Sequence, residues 1–333
     1  MNRFTFRALL TGLLLIGTGL LTVANAREKL AQTGMQFLSV ATDARAAGMG
    51  EATTTLDMQS TSLFFNPAGM ANLNAISDFT FTQINWIADI DLNAFAVAFS
   101  PANGKYGVLG FSLISAQYGD IEGTMVYANP QGYIDTEIMK PSGLSVGVGY
   151  ARALSNKFSI GGQIKYIDEY LAKSVIPGTD GLEVKKNTAS AFAFDFGTLF
   201  NSGYKNLTVG MSVRNFSQEI TYEDEGFQLP LAFRIGLSID VMEFFPNLKA
   251  QRHSLYTALE AIHPRDHSEQ LNLGAEYSFM QTFYGRAGYM FNRDECGVSL
   301  GFGLKKYGFS IDYGYTPYGL FDNVQRITFR FCY

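Results

Sequence analysis

The chain has 333 residues, of which 14% are aromatic, 34 are glycine and only 17% are charged. Many aromatic side chains combined with few charges are typical of a protein whose outer surface contacts something other than water. The formal net charge of -5 argues against a nucleic-acid partner. Beyond the N-terminus there is no apolar run of about 18 residues, so the sequence predicts no internal transmembrane helix.

Residues 1–26 have the layout of a secretory signal peptide. Two arginines precede an apolar stretch over 8–23, and an Ala-Asn-Ala triplet that ends at Ala26 fits a cleavage site. An uncleaved membrane anchor is the alternative, but the apolar stretch is short and the triplet is well placed. We therefore expect the mature chain to begin at Arg27.

Residues 27–78 precede the strands and are expected to form a small plug of short helices and turns. Within them, small residues that let backbones approach closely are followed by a compact apolar anchor. The anchor leads into a turn, because Pro67 fixes φ and Gly69 tolerates a positive φ. The residues assigned to this plug motif are Phe64, Phe65, Asn66, Pro67, Ala68 and Gly69.

From Phe79 to the C-terminus, apolar and polar residues alternate with a period of two, which predicts β-strands. In 229–239, for example, Phe233, Ile235 and Leu237 share one face. Each segment has roughly ten residues, the length of a strand that crosses a bilayer at a tilt. We predict about fourteen such strands, at 79–87, 91–100, 105–115, 143–153, 157–170, 188–200, 206–216, 229–239, 252–262, 269–279, 282–291, 296–305, 307–315 and 323–333.

A closed transmembrane antiparallel barrel explains this alternation. One face of each strand contacts lipid, the other faces a lumen, and every backbone group is paired around the closed sheet. A soluble β-protein also alternates, but its exposed face would carry Lys, Glu and Thr rather than Gly, Ser and isolated charges. The sequence thus predicts an all-β fold, with a β-barrel over residues 79–333 and the plug at its N-terminus.

The connections between the predicted strands differ in length. Alternate ones are short, whereas the others include three long ones at 116–142, 171–187 and 217–228. Because outer-membrane barrels have short periplasmic turns and long external loops, we expect the first strand to run outward. The long connection 240–251 breaks this rule and is expected to form an interfacial element. The aromatic end of the last strand, at Tyr333, looks like the signal that such barrels present to their assembly machinery.

Charges of both signs are expected to face the lumen. A barrel of this width is too wide for its own side chains to fill, which makes the plug the obvious filler. Mixed signs favour ion pairs that hold plug and strands together over a pore selective for one sign of charge. The inward set is Lys165, Asp195, Arg214, Arg234, Glu260, Glu276, Arg286, Asp312, Arg326 and Arg330.

The segment 36–70 resembles a known family. Its run GMGEATTTLDMQSTSLFFNPAGM, the preceding FLSVATDARAAGMG, and the position of Asn-Pro-Ala-Gly just before the barrel are similar to the FadL-like outer-membrane barrels. Within that group they look most like the PorV/PorQ family. The resemblance covers essentially the whole mature chain, and 36–70 is its specific part.

This resemblance implies a location in the Gram-negative outer membrane and two alternative functions. PorV acts in type IX secretion, where it associates with the large translocon barrel and captures the C-terminal signal domains of exported cargo at its external side. FadL takes up long-chain fatty acids, which pass the plug and leave laterally through a gap in the wall. In this chain Phe64, Phe65 and Met70 could line such a route for a hydrophobic ligand.

Apolar and aromatic residues in the long loops favour the secretion role, because such exposed residues suit protein capture. The candidates are Tyr118, Tyr127 and Tyr133, and loop 171–187 adds Val175, Ile176, Pro177 and Leu182. The alternative is that these loops fold inward and pack on one another.

Residues for enzyme chemistry do not stand out, so we expect no enzyme, no metal and no cofactor. His263 and His267 lie in a predicted loop, where no helix fixes their spacing. Two formal G-x-S-x-G matches, at 143–147 and 297–301, lie within predicted strands, so neither forms the strand–turn–helix elbow of a nucleophilic serine. The two cysteines, Cys296 and Cys332, fall on opposite faces of non-adjacent predicted strands, and we expect them not to form a disulfide.

Overall fold

The computed structural model describes residues 33–178, 181–247, 252–293, 296–321 and 323–333. Within these residues, fourteen antiparallel strands pair in one closed barrel. The predicted fold class is therefore confirmed. The expected signal peptide at 1–26 lies outside the described residues.

The strands of the described residues are numbered in chain order. They are β1 (Ser77–Asn85), β2 (Asp91–Phe99), β3 (Val108–Gln117), β4 (Ile121–Val126), β5 (Tyr133–Met139), β6 (Ser142–Ala153), β7 (Phe158–Gly178), β8 (Gly181–Asn201), β9 (Thr208–Phe216), β10 (Ile220–Tyr222), β11 (Glu225–Phe227), β12 (Ala232–Asp240), β13 (His253–Pro264), β14 (Gln270–Phe279), β15 (Phe283–Phe291), β16 (Val298–Lys306), β17 (Phe309–Thr316) and β18 (Val324–Cys332). Short helices lie at Gln36–Ser39, Ala44–Gly48, Gln59–Phe64, Pro67–Asn72, Ile87–Asp89, Pro101–Gly104 and Val241–Phe244. None of these helices is long and apolar enough to cross a membrane.

The barrel closes between its first and last strands, because β1 pairs with β18 on one side and with β2 on the other. The β4–β5 and β10–β11 hairpins lie outside this ring. Along β12, Phe233, Ile235 and Leu237 are exposed while Arg234 and the other intervening residues are buried. The lipid-facing and lumen-facing sides thus follow the alternation of the sequence.

The prediction that residues 171–187 form a loop is wrong. Most of 171–187 is strand, since β7 continues to Gly178 and β8 begins at Gly181, with a bulge between Tyr170 and Ala172. Two antiparallel strands can extend beyond a barrel because each satisfies the backbone groups of the other. The side chains of four predicted loop residues, Val175, Ile176, Pro177 and Leu182, lie outside the described residues.

The two ends of the barrel differ. One end, here called the long-loop end, carries the β7–β8 extension and both hairpins, together with the connections 86–90, 265–269, 292–297 and 317–323. The opposite, short-turn end carries the connections 100–107, 154–157, 202–207, 280–282 and 307–308. At this end Phe244 and Phe245 are about half exposed, and the Lys205 ammonium lies 5.1 Å from the centroid of the Phe244 ring. Residues 248–251 of the expected interfacial element lie outside the described residues.

The described part of the plug, residues 33–76, fills the barrel. Its apolar side chains form the core with residues on the inner face of the wall, among them Phe37, Met49, Phe65, Ile84 and Leu92. A second cluster joins Leu63 and Met70 to Val108 and other residues. The core therefore lies between plug and wall.

Glycines on four consecutive strands form a groove for the plug backbone. They are Gly274, Gly288, Gly301 and Gly314, and the pairing places neighbouring members side by side or nearly so. An ideal Cβ on Gly48 would lie 2.9 Å from the Gly301 Cα, and one on Gly314 would lie 2.7 Å from the Ala44 carbonyl oxygen. Since such contacts exclude any side chain, the helix Ala44–Gly48 sits directly on the backbone of the wall.

Replacing Gly288 with valine should loosen the plug, because a Cβ there would overlap the backbone of Met49 and Gly50. We expect a loss of about 1–3 kcal/mol, as for other overpacked sites. It can be measured as a lower temperature at which the unboiled protein loses its compact gel mobility, and as faster proteolysis of the plug. Gly285→Val on the same strand is the control, since nothing lies within 4 Å of its Cβ position. Equal behaviour of the two variants would contradict the groove.

Candidate functional site

The candidate site is the plugged lumen together with the long-loop end. The plug is attached at both ends of the barrel. At the long-loop end, Thr33 forms a parallel bridge with Gln228, and its hydroxyl donates to Asp266 at 2.8 Å. At the short-turn end, the backbone N–H groups of Ile76 and Ser77 donate to the Tyr333 carbonyl oxygen at 2.8 and 2.9 Å. The plug therefore spans the whole lumen.

A buried chain of ion pairs joins the plug to the wall beside the glycine groove. Arg45 Nη2 of the plug lies 2.7 Å from Glu276 Oε1, and Arg286 Nε lies 2.6 Å from Glu276 Oε2. Arg286 also reaches Asp312 at 2.6 Å. The carboxylate of Glu276 is thus shared by one guanidinium from the plug and one from the wall, which satisfies charges that would be costly to bury alone.

Glu260 holds the backbone of the plug. Its Oε2 accepts from the N–H groups of Thr53 and Thr54 at 2.8 and 2.7 Å, while its Oε1 pairs with Arg234 at 3.0 Å. A carboxylate that accepts two adjacent N–H groups fixes the local chain direction as well as its position. Glu260 therefore connects β12, β13 and the plug.

Three further inward arginines bind carbonyl oxygens of the plug. Arg214 donates to Leu38 at 3.1 Å, Arg326 donates to Ala41 at 2.8 Å, and Arg330 donates to Met58 at 3.1 Å. Arg330 also lies 3.5 Å from the Asp43 carboxylate. The structure thus places all seven charges of the candidate site in the lumen, where each contacts the plug or an oppositely charged wall residue: Arg214, Arg234, Glu260, Glu276, Arg286, Asp312 and Arg330.

The remaining inward pair lies within the wall. Lys165 is 2.8 Å from Asp195 and donates to the Asn215 side chain at 2.6 Å. The pairing of β8 with β9 shifts between Phe194 and Phe196, and Asn215 has a φ of 59°. This buried cluster therefore fills an irregularity in the ladder.

The Asn66–Gly69 motif forms the expected turn, with the Gly69 N–H donating to the Asn66 carbonyl oxygen at 3.0 Å, and the chain continues from it into a short helix. Asn66 caps a short helix, Pro67–Asn72, by accepting from the Ala68 N–H at 3.1 Å, and Pro67 occupies the first position of that helix. The Asn66 side chain also donates to the carbonyl oxygens of Thr54 and Thr198 at 2.7 and 3.1 Å. It thereby links two parts of the plug to β8.

Gly69 is needed for close packing rather than for a left-handed conformation. It is not among the residues with positive φ. An ideal Cβ on Gly69 would lie 3.2 Å from the Cβ of Ser62. The preceding aromatic residues, Phe64 and Phe65, are buried in the core that plug and wall share.

The three candidate tyrosines of the long loop lie in two different environments, one half-buried and one exposed. Tyr118 is half-buried and donates to Glu169 at 2.7 Å, and burial together with this carboxylate raises the pKa of its hydroxyl. This contact agrees with the inward-packing alternative. Tyr127 and Tyr133 are 54% and 47% exposed at the tip of the β4–β5 hairpin, beside Val126, which is 90% exposed. Of the three candidate tyrosines, Tyr127 and Tyr133 are therefore the two available on the surface.

Two clefts of the described residues lie at the long-loop end of the wall. The larger, about 450 Å³, is lined by Val213, Leu231, Phe233, His263 and Arg265. Among the described residues, no group of three or more metal-ligating side chains is placed to hold an ion. His263 and His267 instead lie beside Glu269 and Asp266, and Cys296 and Cys332 are free thiols.

Comparisons with known proteins also find fourteen-strand barrels. A family model described as "Type IX secretion system protein PorV" matches residues 23–250, more than half of the chain. This chain belongs to the PorV family. Members of the PorV and FadL-like families are non-enzymatic barrels, and the architecture of both is that of outer-membrane proteins. A comparison with curated proteins gives no match.

Solved structures similar to this PorV-family chain share its fold at low sequence identity. The Ralstonia pickettii toluene transporter TbuX is 10% identical, with a TM-score of 0.58 over 92% of this chain and 100% of that chain. The Pseudomonas putida toluene transporter TodX is 11% identical, with a TM-score of 0.55 over 91% and 98%. A Pseudomonas aeruginosa FadL homologue is 12% identical, with a TM-score of 0.53 over 87% and 98%.

Several charges that position the plug of this PorV-family member are missing from the sequence prediction. Asp43 caps the helix Ala44–Gly48 by accepting from the Ala46 N–H at 3.0 Å. Glu51 pairs with Arg293 at 2.7 Å. The roles of Asp43 and Glu51 could have been inferred from the sequence, because an acidic side chain in a segment that enters the lumen needs a hydrogen-bonding or oppositely charged partner. The partners themselves cannot be read from the spacing.

Glu276→Ala should destabilise the docked plug, because it leaves two buried guanidinium groups without their shared carboxylate. Breaking a buried pair costs about 3–5 kcal/mol, whereas an exposed pair contributes about 0–1 kcal/mol. Asp120→Ala, which removes an exposed partner 3.0 Å from Lys140, is therefore the matched control. Denaturant titration of the barrel and protease sensitivity of the plug measure the difference, and equal losses in the two variants would be inconsistent with this role of Glu276.

Proposed function

We propose that this barrel is an accessory component of type IX protein secretion that binds the translocon barrel and the C-terminal signal domains of exported cargo. The membership of the PorV family supports this role. The observation that carries it is the filled lumen, whose plug is attached at both ends and cross-linked to the wall. With the lumen occupied, the outer surface and the long-loop end are the parts available to partners.

Cargo is proposed to bind the β4–β5 hairpin. Val126, Tyr127 and Tyr133 expose apolar and aromatic surface at its tip, the residue types that dominate protein interfaces. The hairpin is a separate two-stranded sheet, so its outer edges carry backbone groups that a β-domain can pair with by strand addition. Both features fit a folded β-domain as ligand better than a small molecule.

The proposed role also requires a particular location and orientation of the chain. The chain is exported through a signal peptide cleaved after Ala26, inserted in the outer membrane, and oriented with its short-turn end in the periplasm. The long-loop end then faces the outside, where cargo is attached to the surface. Outer-membrane lipid covers the apolar outer face of the strands.

Transport of a hydrophobic molecule, such as a long-chain fatty acid, is the second candidate. The likeness to solved toluene transporters and to a FadL homologue favours it. In this alternative the molecule enters at the cleft of about 450 Å³ beside β9, β12 and β13. However, pairing continues between all neighbouring strands of the ring, so passage would require the plug or the wall to rearrange.

Deletion of the gene should abolish surface attachment of cargo proteins that share a C-terminal β-domain, without lowering their synthesis. Surface proteomics of the deletion strain, with the wild-type gene restored as control, tests this. Normal attachment in the deletion strain would overturn the secretion role. Mass spectrometry of the detergent-purified barrel then separates the two functions, since the first predicts translocon or cargo proteins and the second predicts a bound fatty acid or hydrocarbon.

A triple variant, Val126→Ser, Tyr127→Ser and Tyr133→Ser, should reduce cargo capture by at least about tenfold, because interface anchors of this type often contribute more than 1 kcal/mol each. Tyr106→Ser with Tyr307→Ser is the matched control, since these tyrosines are 64% and 87% exposed at the opposite end. Pull-down of a purified C-terminal domain measures capture. Undiminished capture by the triple variant would exclude the hairpin tip as the binding site.

A further inference from the structure

Two buried arginines of the lumen, Arg214 and Arg234, differ from other arginines around the plug in how they use the guanidinium group. Elsewhere around the plug, Nε donates to a carboxylate, hydroxyl, amide or carbonyl oxygen, as it does in Arg45, Arg286, Arg293, Arg326 and Arg330. By contrast, the buried Nε–H groups of Arg214 and Arg234 have no hydrogen-bond partner among the described residues. Because buried donors are normally paired, these two groups require an acceptor.

The strand register places both arginines beside one serine. Arg234 of β12 is paired with Ser212 of β9, and Arg214 lies two residues along β9 on the same inward face. Diagonal neighbours on antiparallel strands are about 7–8 Å apart, which is within reach of long side chains. The Ser212 hydroxyl is buried and also has no hydrogen-bond partner within the described part of the chain. Three polar groups from two strands are thus neighbours on the inner wall.

The plug adds a fourth polar group at this place. An ideal Cβ on Gly236, the next inward residue of β12, would lie 3.4 Å from the Thr54 Cβ. The Thr54 hydroxyl is fully buried and has no partner in the described ranges, while its backbone N–H shares the Glu260 carboxylate with Arg234. We call these four groups the donor cluster: Ser212 Oγ, Arg214 Nε, Arg234 Nε and Thr54 Oγ1.

Arg214 brings a charge to the donor cluster that no carboxylate of the described residues neutralises by an ion pair. One of its Nη atoms donates to the Leu38 carbonyl oxygen at 3.1 Å, and its guanidinium carbon lies 5.9 Å from the centroid of the Phe65 ring. Both contacts are with groups that carry no net charge. Since a buried cation is costly without a counter-charge, an anion is favoured beside Arg214.

The carboxylates nearest to the donor cluster are already engaged with other cations. Glu260 pairs with Arg234 at 3.0 Å, and Asp195 pairs with Lys165 at 2.8 Å. Each of these pairs is balanced, so that the positive charge of Arg214 is left over. The charges of the wall therefore favour one additional negative charge at this level of the lumen.

A small anion fits the donor cluster better than water or a large organic acid. Guanidinium groups only donate hydrogen bonds, and the two hydroxyl groups can also donate, so the cluster can direct four donors at one acceptor. Water would use two of its four hydrogen-bonding positions as donor and would leave the charge unbalanced. The four residues are at most 6% exposed, which favours an ion of one or a few atoms.

We propose that the donor cluster binds one small monovalent anion, chloride, between the wall and the plug. The Nε–H groups of Arg214 and Arg234 and the hydroxyl groups of Ser212 and Thr54 donate to it. Because Thr54 belongs to the plug and Arg214 also holds Leu38, the bound ion strengthens the attachment of the plug. This inference does not depend on the secretion role and applies equally to a transporter.

Refolding in defined anions tests the proposal. The detergent-solubilised barrel is refolded from denaturant with chloride, bromide or gluconate as the only anion, at equal ionic strength. Binding at about ten times the Kd raises the ratio of docked to released plug about tenfold, so that proteolysis of the plug should slow by about the same factor. Bromide should act as chloride does, whereas gluconate is too large for the enclosed cluster. Equal proteolysis in the three salts would overturn the proposal.

A matched pair of variants assigns the effect to the donor cluster. Arg214→Gln should abolish the difference between chloride and gluconate, because the variant lacks both the charge and the Nε donor. Arg326→Gln is the control, since Arg326 also binds a plug carbonyl oxygen, that of Ala41, but uses its Nε for that contact. The control should keep the difference even if its plug is less stable. A chloride effect that persists in Arg214→Gln would exclude this site.

A milder pair of variants serves if Arg214→Gln does not fold. Ser212→Ala should weaken chloride binding by on the order of tenfold, the usual effect of losing one hydrogen bond to a charged group. Ser299→Ala is its control, because the Ser299 hydroxyl accepts from the Gly50 N–H of the plug at 3.0 Å outside the cluster. The same chloride affinity in both variants would contradict a role for Ser212.

A crystal structure of the bromide-refolded barrel locates the ion by anomalous scattering. We expect an anomalous peak between the Nε atoms of Arg214 and Arg234. Peaks confined to exposed lysines would show an adventitious ion only and would overturn the proposal. An ordered water without anomalous signal in the donor cluster would also overturn it, since water would then satisfy the buried donors.

Discussion

Close approach of two backbones is the constraint on which the plugged barrel depends. The helix Ala44–Gly48 can reach the wall only because Gly301 and Gly314 present no side chain to it. This approach brings Arg45 within reach of Glu276, and it brings the following residues to the carboxylate of Glu260. The ion pairs therefore depend on this close approach. Once the wall glycines admit the helix Ala44–Gly48, the ion pairs fix its position along the wall.

The alternation of the sequence is sufficient to predict the fourteen strands and which side chains face inward, because a period of two has a single geometric meaning in a sheet. The same pattern did not identify the β7–β8 extension. Pro177, Gly178 and Gly181 are turn-forming residue types, but the tertiary pairing of the two strands outweighs local preference there.

Contacts within the lumen were only partly predictable. The inward position of Arg330 follows from strand periodicity, but its contacts with Asp43 and Met58 depend on the three-dimensional path of the plug. Likewise, Pro67 predicts a change of chain direction, whereas the helix it begins is set by the capping Asn66 side chain and by Ser62 packing on Gly69. Tyr118 shows the same limit, since composition cannot distinguish a tyrosine that binds Glu169 from one that contacts solvent.

The last strand, β18, both closes the wall and holds the plug. β18 completes the ring by pairing with β1, and the same strand supplies Arg326 and Arg330, which bind carbonyl oxygens of the plug. The plug leads directly into β1, the other strand of the same seam. Loss of the final residues of the chain would therefore remove both the pairing that closes the wall and the Arg326 and Arg330 contacts that hold the plug.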